Sequence, residues 1–112
     1  MIDSYDFGTI VVNGRKFTTD LIISNKGINP KWWRKEGHRL SLEDIKDVLA
    51  QTPEILIIGT GYSGVMSVPK SVEDYIRAKG INIIVKRTEE ACKKFNELYE
   101  KHDVVAALHL TC

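Results

Sequence analysis

The fold of this chain follows from one stretch of its sequence, Glu54-Ile55-Leu56-Ile57-Ile58-Gly59-Thr60-Gly61-Tyr62-Ser63-Gly64. The first half of the stretch is a continuous apolar run, which is typical of a strand covered on both faces. Two more such runs follow it, Ile81 to Val85 and Val104 to Leu110. Because helical patterns separate the three runs, we expect an α/β domain in which these strands are largely parallel and helices cover both faces.

Three segments carry helical signals. A helix over residues 42–50 is predicted, because Ser41 precedes an apolar pattern and Pro53 closes it. The segment from Pro69 to Lys79 has apolar residues at helical spacing and is followed by Gly80. A third helix is expected to open at Thr88, since acidic residues occupy its first turn.

The N-terminal part of the chain has the pattern of β-structure. The pair Asn13-Gly14 lies between β-branched runs, which predicts a hairpin with a type I′ turn. Another strand signal covers Leu21 to Ser24. Residues 25–39 then lack apolar periodicity, and irregular stretches of about this length in compact domains are often functional.

Length and charge restrict the class of protein. The 112 residues are expected to form one domain, residues 1–112, and 16 Lys+Arg against 15 Asp+Glu give a net charge of +1. This balance disfavours nucleic acid as a partner, and no apolar run is long enough to cross a membrane. The N-terminus lacks the layout of a signal peptide and there are two cysteines, so we expect a cytoplasmic protein.

The glycine loop, Gly59 to Gly64, spells the pattern G-x-G-x-x-G. Such a loop after a strand can bind phosphate through its main-chain amides. A dinucleotide site is disfavoured, because four residues separate the pattern from Pro69 and no acidic residue follows the next strand to hold a ribose. We therefore expect no cofactor and favour a structural loop, with a small anion or polar ligand as the open alternative.

The tryptophan segment, Lys31-Trp32-Trp33-Arg34-Lys35, interleaves cations with indoles. Such a pattern can stack bases or bind phosphate. It can equally close an edge of the core while the cations remain solvated, and the near-neutral charge favours this second interpretation. The two roles are compatible, since a segment that covers the core can also close a ligand pocket.

Histidine and cysteine occur together in the last residues, His109-Leu110-Thr111-Cys112. A thiol–imidazole pair and part of a metal site are both conceivable, but the chain has too few further ligands and we expect no metal. His109 lies in an apolar run and is expected to be a hydrogen-bonded residue of the core or of a pocket edge. His109 and His38 are the candidates for a general base.

The order of several motifs resembles that of the Mth938-domain family, and in particular its archaeal type member. The matching features are Trp33-Arg34 with Gly37-His38, Ile58-Gly59-Thr60-Gly61 with Val68-Pro69, Gly80-Ile81, Thr88-Glu89 with Ala91 and Phe95-Asn96, and His109-Leu110-Thr111-Cys112. The family includes an adipogenesis-associated protein and a mitochondrial complex I assembly factor. The resemblance implies a three-layer α/β fold with a central mixed sheet of about five strands and an additional N-terminal β-hairpin layer. It also implies that Gly64 is incidental, and it brings no reaction with it.

These observations favour a non-catalytic binding or assembly-type module that acts through a protein partner or a small ligand, with a homodimer left open. The expected binding face consists of the tryptophan segment, the glycine loop and the end of the last strand, namely Trp33, Arg34, Gly59, Thr60, Gly61, Ser63, Thr111 and Cys112. The alternative is a small enzyme in which His109 or His38 acts as a general base and the glycine-loop amides bind an anion.

Overall fold

A computed structural model describes all residues, 1–112, and contains eight strands and three α-helices. No helix is both long enough and apolar enough to cross a membrane. The elements in chain order are β1 (Ile2–Asp6), β2 (Thr9–Val12), β3 (Arg15–Phe17), β4 (Leu21–Ser24), β5 (Gly27–Asn29), α1 (Lys46–Ala50), β6 (Ile55–Gly59), α2 (Lys70–Ala78), β7 (Asn82–Lys86), α3 (Thr88–Leu98) and β8 (Val104–Leu108).

The central sheet has five strands in the order β5-β4-β8-β6-β7. Strands β8, β6 and β7 are parallel, as their continuous apolar runs predicted, whereas β4 is antiparallel to β8 and to β5. The sheet is therefore mixed, which confirms the fold implied by the resemblance. Gly59 lies opposite both Lys86 and Leu108, so the three parallel strands end at the same edge.

The N-terminal residues form a separate three-stranded antiparallel sheet, β1-β2-β3. The predicted hairpin at Asn13-Gly14 joins β2 to β3, and both turn residues have positive φ, 49° and 78°. The additional strand β1 pairs with β2 through the turn at Phe7-Gly8. The expected hairpin layer is thus present and is one strand larger than a hairpin.

Each face of the central sheet has its own hydrophobic core. Ile55 and Ile57 of β6 pack in a cluster of 15 buried residues that includes α3 and the three-stranded sheet. Leu56 and Ile58 point to the other face and pack in a cluster of 14 with residues from α1 and α2. Since side chains alternate along a strand, one apolar run serves both cores, and this alternation produces the three layers.

The predicted helix over residues 42–50 is shorter than expected. Residues Leu42–Ile45 form a 3₁₀ turn, and α1 begins only at Lys46. The break lies at Ile45, whose φ and ψ of −127° and 20° are not helical. Ile45 is fully buried, so the packing of this side chain outweighs the local preference for a continuous helix.

Candidate functional site

The glycine loop and the residues after β8 meet at the edge where the parallel strands end. The His109 amide donates to the Gly59 carbonyl oxygen at 3.0 Å, which continues the β6–β8 pairing by one residue. Loops at the carboxyl ends of parallel strands form the usual ligand crevice of open α/β sheets. This edge of the sheet is therefore a candidate ligand site.

The main-chain amides of the glycine loop are occupied by the chain itself. The Tyr62 amide donates to the Thr111 oxygen at 2.9 Å, and the Ser63 and Val65 amides donate to the main-chain oxygen of Cys112 at 3.2 and 3.1 Å. These are the groups that a phosphate would need. Main-chain oxygens of residues 111 and 112 therefore accept the hydrogen bonds that these amides could otherwise donate to an anion.

Gly61 is required for this arrangement. Its φ is +108°, and a Cβ atom there would lie 2.4 Å from the main-chain carbon of Cys112. Gly64 also has a positive φ, +75°. The turn thus uses at Gly64 a conformation that residues with a Cβ rarely adopt. This is a structural role, separate from the binding motif to which the resemblance implies that Gly64 is incidental.

Hydrogen bonds of two threonine hydroxyls, of Thr60 and Thr88, fix the glycine loop. The hydroxyl of Thr88, at the start of α3, donates to the His109 carbonyl oxygen at 2.6 Å and accepts from the Gly61 amide at 2.8 Å. The Thr60 hydroxyl donates to the Lys86 carbonyl oxygen at 3.2 Å, and Thr60 is buried. Thr60 was expected on the binding face, yet its hydroxyl serves the loop's own structure.

A buried ionic cluster of Asp20, Arg34 and His109 lies beside this edge. Oδ2 of Asp20 lies 2.9 Å from Nη1 of Arg34 and 2.8 Å from Nδ1 of His109, and Oδ1 accepts from the Leu110 amide at 2.8 Å. Only 5% of the Arg34 side chain and 7% of the His109 side chain are exposed. The cluster joins the tryptophan segment to the end of β8.

The protonation of this cluster follows from its contacts. Burial raises the pKa of the Asp20 carboxyl, but hydrogen bonds from His109, Leu110 and Arg34 together with the charge on His109 outweigh burial and lower it below 3.8. Nδ1 of His109 lies within hydrogen-bond distance of both Oδ2 of Asp20, at 2.8 Å, and Nη2 of Arg34, at 3.1 Å. Nε2 of His109 is buried without a hydrogen-bond partner.

The two candidate general bases differ in their surroundings. The His38 ring lies 6.0 Å from the His109 ring, edge to face, and no hydrogen bond joins them. His38 is exposed, whereas His109 is buried and oriented by Asp20. Among the described residues, no group of three or more His, Cys, Asp or Glu side chains could hold a metal ion.

The two tryptophans have opposite roles. Trp32 is buried, and its indole N–H donates to the Asp44 carbonyl oxygen at 2.9 Å. Trp33 is 76% exposed and lines a cavity of about 540 Å³ between the tryptophan segment and residues 43–48. No residue of the glycine loop or of 109–112 lines that cavity. The single binding face expected from the sequence is therefore two surfaces, since Arg34 contacts His109 but Trp33 faces elsewhere.

Sequence reasoning missed an aromatic patch at the glycine loop. Phe7, Tyr62 and Val65, called here the aromatic patch, are 54%, 42% and 48% exposed. The Phe7 and Tyr62 rings contact edge to face with centroids 5.8 Å apart. The Val65 amide binds Cys112 and the Gly8 amide binds Leu110, so residues 110–112 connect the two segments that carry the patch. Each residue is unremarkable in sequence, and only the fold brings the two segments together.

The chain is similar to known proteins over nearly its whole length. It is 28% identical over 109 residues to a Xenopus tropicalis protein named NADH dehydrogenase [ubiquinone] 1 alpha subcomplex assembly factor 3, which covers 95% of this chain but 58% of that relative. The chain therefore spans less than two thirds of that relative's length.

Solved structures match the whole architecture. A conserved hypothetical protein of Pyrococcus horikoshii superposes with a TM-score of 0.84 at 27% identity, covering 100% of this chain and 99% of that one. A Bordetella pertussis protein described as a Mth938-like domain has a TM-score of 0.75 at 20% identity, covering 98% and 85%, and this likeness shows the fold alone. The model of the family described as protein of unknown function (DUF498/DUF598) matches residues 2–109, so this chain belongs to that family, of Mth938-like fold.

Proposed function

We propose that this chain is an assembly-type module that binds a protein partner through the aromatic patch. The observation that carries the proposal is the contact between the exposed rings of Phe7 and Tyr62, with the exposed Val65 three residues further along the same loop. Exposed apolar groups scattered singly are ordinary, but clustered aromatic residues are enriched where proteins bind one another. The name of the Xenopus relative, an assembly factor, agrees with such a role.

The surroundings of the patch suit a rigid binding surface. Three loop amides bind residues 111–112, and the Arg87 side chain donates to the Tyr62 carbonyl oxygen through Nε at 3.0 Å and Nη2 at 2.7 Å. The patch is thus fixed before any partner binds. Preorganisation of this kind lowers the entropic cost of association.

Affinity capture with matched variants tests the proposal. A double variant, Phe7→Ser with Tyr62→Ser, removes the patch, and Tyr75→Ser removes a tyrosine of similar exposure, 45%, on α2. Proteins retained from an extract of the producing cells by wild type and by Tyr75→Ser, but lost by the double variant, would support the patch. Equal retention by all three chains would contradict it.

Two further measurements address oligomeric state and compartment. A second copy is one partner the patch could bind, and sedimentation of the purified chain would show a dimer that the double variant abolishes. We also propose the cytoplasm as the compartment, because both cysteines are free thiols. Imaging of a fluorescent fusion would test this.

The second candidate is a small enzyme that uses His109 as a general base. The specific observation in its favour is the Asp20–His109 pair, in which the carboxylate contacts Nδ1 of the ring at 2.8 Å while Nε2 has no partner. Two observations weigh against it: Nε2 is buried, and the loop amides that would bind an anion are occupied by residues 111–112.

A substrate panel with matched histidine variants tests the enzyme. Turnover of an ester, thioester or phosphoester that is lost in His109→Gln and kept in His102→Gln would support it. His102 is a suitable control, because it is a half-buried histidine outside the site that also contacts a carboxylate, that of Glu54 at 2.9 Å. Equal turnover in both variants, or none in wild type, would contradict the enzyme.

A further inference from the structure

The tryptophan segment holds Trp33 out from the protein surface through its two neighbours. Trp32 is fixed by its amide, which donates to the Asp20 carbonyl oxygen at 3.1 Å, and by its indole N–H to Asp44. Arg34 is fixed by Asp20 and by the Gly37 carbonyl oxygen, and its guanidinium lies over the Trp32 ring at 4.5 Å. Because both neighbours point inward, Trp33 must point outward.

This exposure has an energetic cost, which suggests a use. Burial of an aromatic side chain stabilises a fold, and Trp33 forgoes most of that stabilisation at 76% exposure. The Lys35 amide donates to Oδ1 of Asp44 at 3.0 Å, so the segment is also fixed beyond Arg34. The indole therefore stands on a rigid main chain at the mouth of the cavity, where a ligand could stack on it.

The cavity has two walls that carry opposite charges. Lys31 and Lys35 belong to the tryptophan segment, whereas Glu43 and Asp47, on either side of the break at Ile45, belong to the opposite wall. None of these four side chains takes part in an ion pair. The wall opposite the lysines also contains Lys46.

The other residues that line the cavity include a hydrogen-bonded aspartate and three apolar side chains. Asp44 turns both carboxylate oxygens to main-chain amides, of Lys35 and Ser41. Ile22, Ile45 and Val48 supply an apolar floor. A volume of about 540 Å³ falls within the range of about 300–1,000 Å³ typical of small-molecule sites. The cavity is thus lined by apolar side chains and by charged side chains of both signs.

We propose that this cavity binds a small zwitterion with an apolar body, of the class of large apolar α-amino acids. The anionic group of the ligand would face Lys31 and Lys35, and its ammonium would face Glu43 and Asp47, with the Trp33 ring offering a further favourable contact to a cation. The apolar body would lie on the aliphatic floor. This site is separate from the aromatic patch and does not depend on the proposed partner binding.

Three probes that differ by one charged group test the proposal. L-Phenylalanine carries both charges, 3-phenylpropionate lacks the ammonium, and 2-phenylethylamine lacks the carboxylate. In proton–nitrogen NMR spectra we expect L-phenylalanine to shift the indole signal of Trp33 and to leave the buried indole of Trp32 nearly unchanged. Each partial analogue should bind weaker by at least about tenfold, because one charged contact is lost.

Variants of the cavity test which side chains recognise the carboxylate of the ligand and which recognise its ammonium. Trp33→Ala should abolish the binding, followed in this variant by the main-chain amide signals of residues 43–48, and the double variant Lys31→Gln with Lys35→Gln should remove the preference for L-phenylalanine over 2-phenylethylamine. Glu43→Gln with Asp47→Asn should remove the preference over 3-phenylpropionate. Tyr75→Ala, outside the cavity, is the control and should change neither preference.

Three outcomes would overturn the site. The first is no shift of Trp33 by L-phenylalanine up to about 10 mM, a concentration that detects even millimolar affinity. The second is equal binding of all three probes, which would show simple apolar adsorption. The third is binding that persists in Trp33→Ala.

Discussion

Asp20 joins more parts of the candidate site than any other single residue. Its carboxylate accepts from Arg34, His109 and the Leu110 amide, and its carbonyl oxygen accepts from Trp32. Removal of this charge would leave the Arg34 guanidinium buried without a counter-charge. Buried ion pairs are costly to break for this reason.

We therefore expect Asp20→Asn to lower the free energy of unfolding by about 2–4 kcal/mol, somewhat less than a fully buried pair because 20% of the Asp20 side chain is exposed. Urea unfolding at neutral pH measures this. Asp74→Asn is the control, since its pair with Lys70 is exposed and should contribute less than about 0.5 kcal/mol.

The effect of Asp20 should depend on pH in a defined direction. Its pKa is lowered in the folded state, so the stabilisation is complete above about pH 4 and is lost as the pH falls through the folded pKa. The stability difference between wild type and Asp20→Asn should be constant from pH 7 to about 5 and should shrink below pH 4. A difference that grows on acidification would contradict the assignment.

Gly61 gives a second prediction for a single residue. Ala at this position meets both an unfavourable φ and the main chain of Cys112, so we expect a loss of about 2–4 kcal/mol in unfolding free energy. Gly80→Ala is the control, because Gly80 also has a positive φ, +81°, but has open space around it; its loss should be about 1 kcal/mol. Equal losses in thermal unfolding would mean that residues 111–112 are not seated on the loop.

The sequence showed His109, Arg34 and the glycine loop as candidates but not Asp20. Apolar periodicity and glycine spacing are local signals, and they lie within a few residues of the groups they predict. Asp20 is 89 residues from His109, and nothing in its neighbourhood distinguishes it from an ordinary surface carboxylate. Only the pairing of β4 with β8 brings the two together.

At the scale of elements, the Thr88 hydroxyl joins α3 to the glycine loop and to the residue after β8. Thr88→Val keeps the shape of the side chain but leaves the Gly61 amide and the His109 carbonyl oxygen without their partner. We expect a loss of about 2–3 kcal/mol in the free energy of unfolding.

Thr88→Ser keeps the hydroxyl and should cost less than about 1 kcal/mol. Chemical denaturation of both variants makes the comparison. A Val variant as stable as the Ser variant would show that the hydroxyl is not needed to hold these elements together.

The elements that the sequence predicted best are those whose packing repeats a local pattern. The apolar runs of β6, β7 and β8 are buried on both faces, and their parallel arrangement follows from the intervening helices. The helix over residues 42–50 was predicted less well, since the buried Ile45 interrupts it. Strand β5 lies within the stretch predicted to be irregular, because three residues with one apolar side chain carry no periodicity.

At the scale of the whole molecule, the reactivity of the two cysteines distinguishes the native protein from the unfolded protein. Cys92 packs in the core between α3 and the central sheet, and burial together with the charge of Glu89 raises the pKa of its thiol to about 12. Cys112 is exposed. A thiol reagent at pH 8 should therefore modify one cysteine of the native protein quickly, and the second only on unfolding.

The Cys112→Ser variant provides the control for this prediction. It should show no rapid reaction in the native state and one reactive thiol in denaturant. Two rapidly reacting thiols in native wild type would contradict the burial of Cys92, and with it the closure of this core.

The strand order has a consequence for how the chain reaches its fold. Strand β8 is the last of the eight along the chain, yet it is the middle strand of the five-stranded sheet and the only link between β4 and β6. During synthesis, the two halves of the sheet must wait for residues 104–108 before they can join. Folding is therefore dominated by contacts between distant parts of the chain, which makes it slow for a domain of this size and leaves the edges of β4 and β6 open to wrong pairing until β8 has been synthesised.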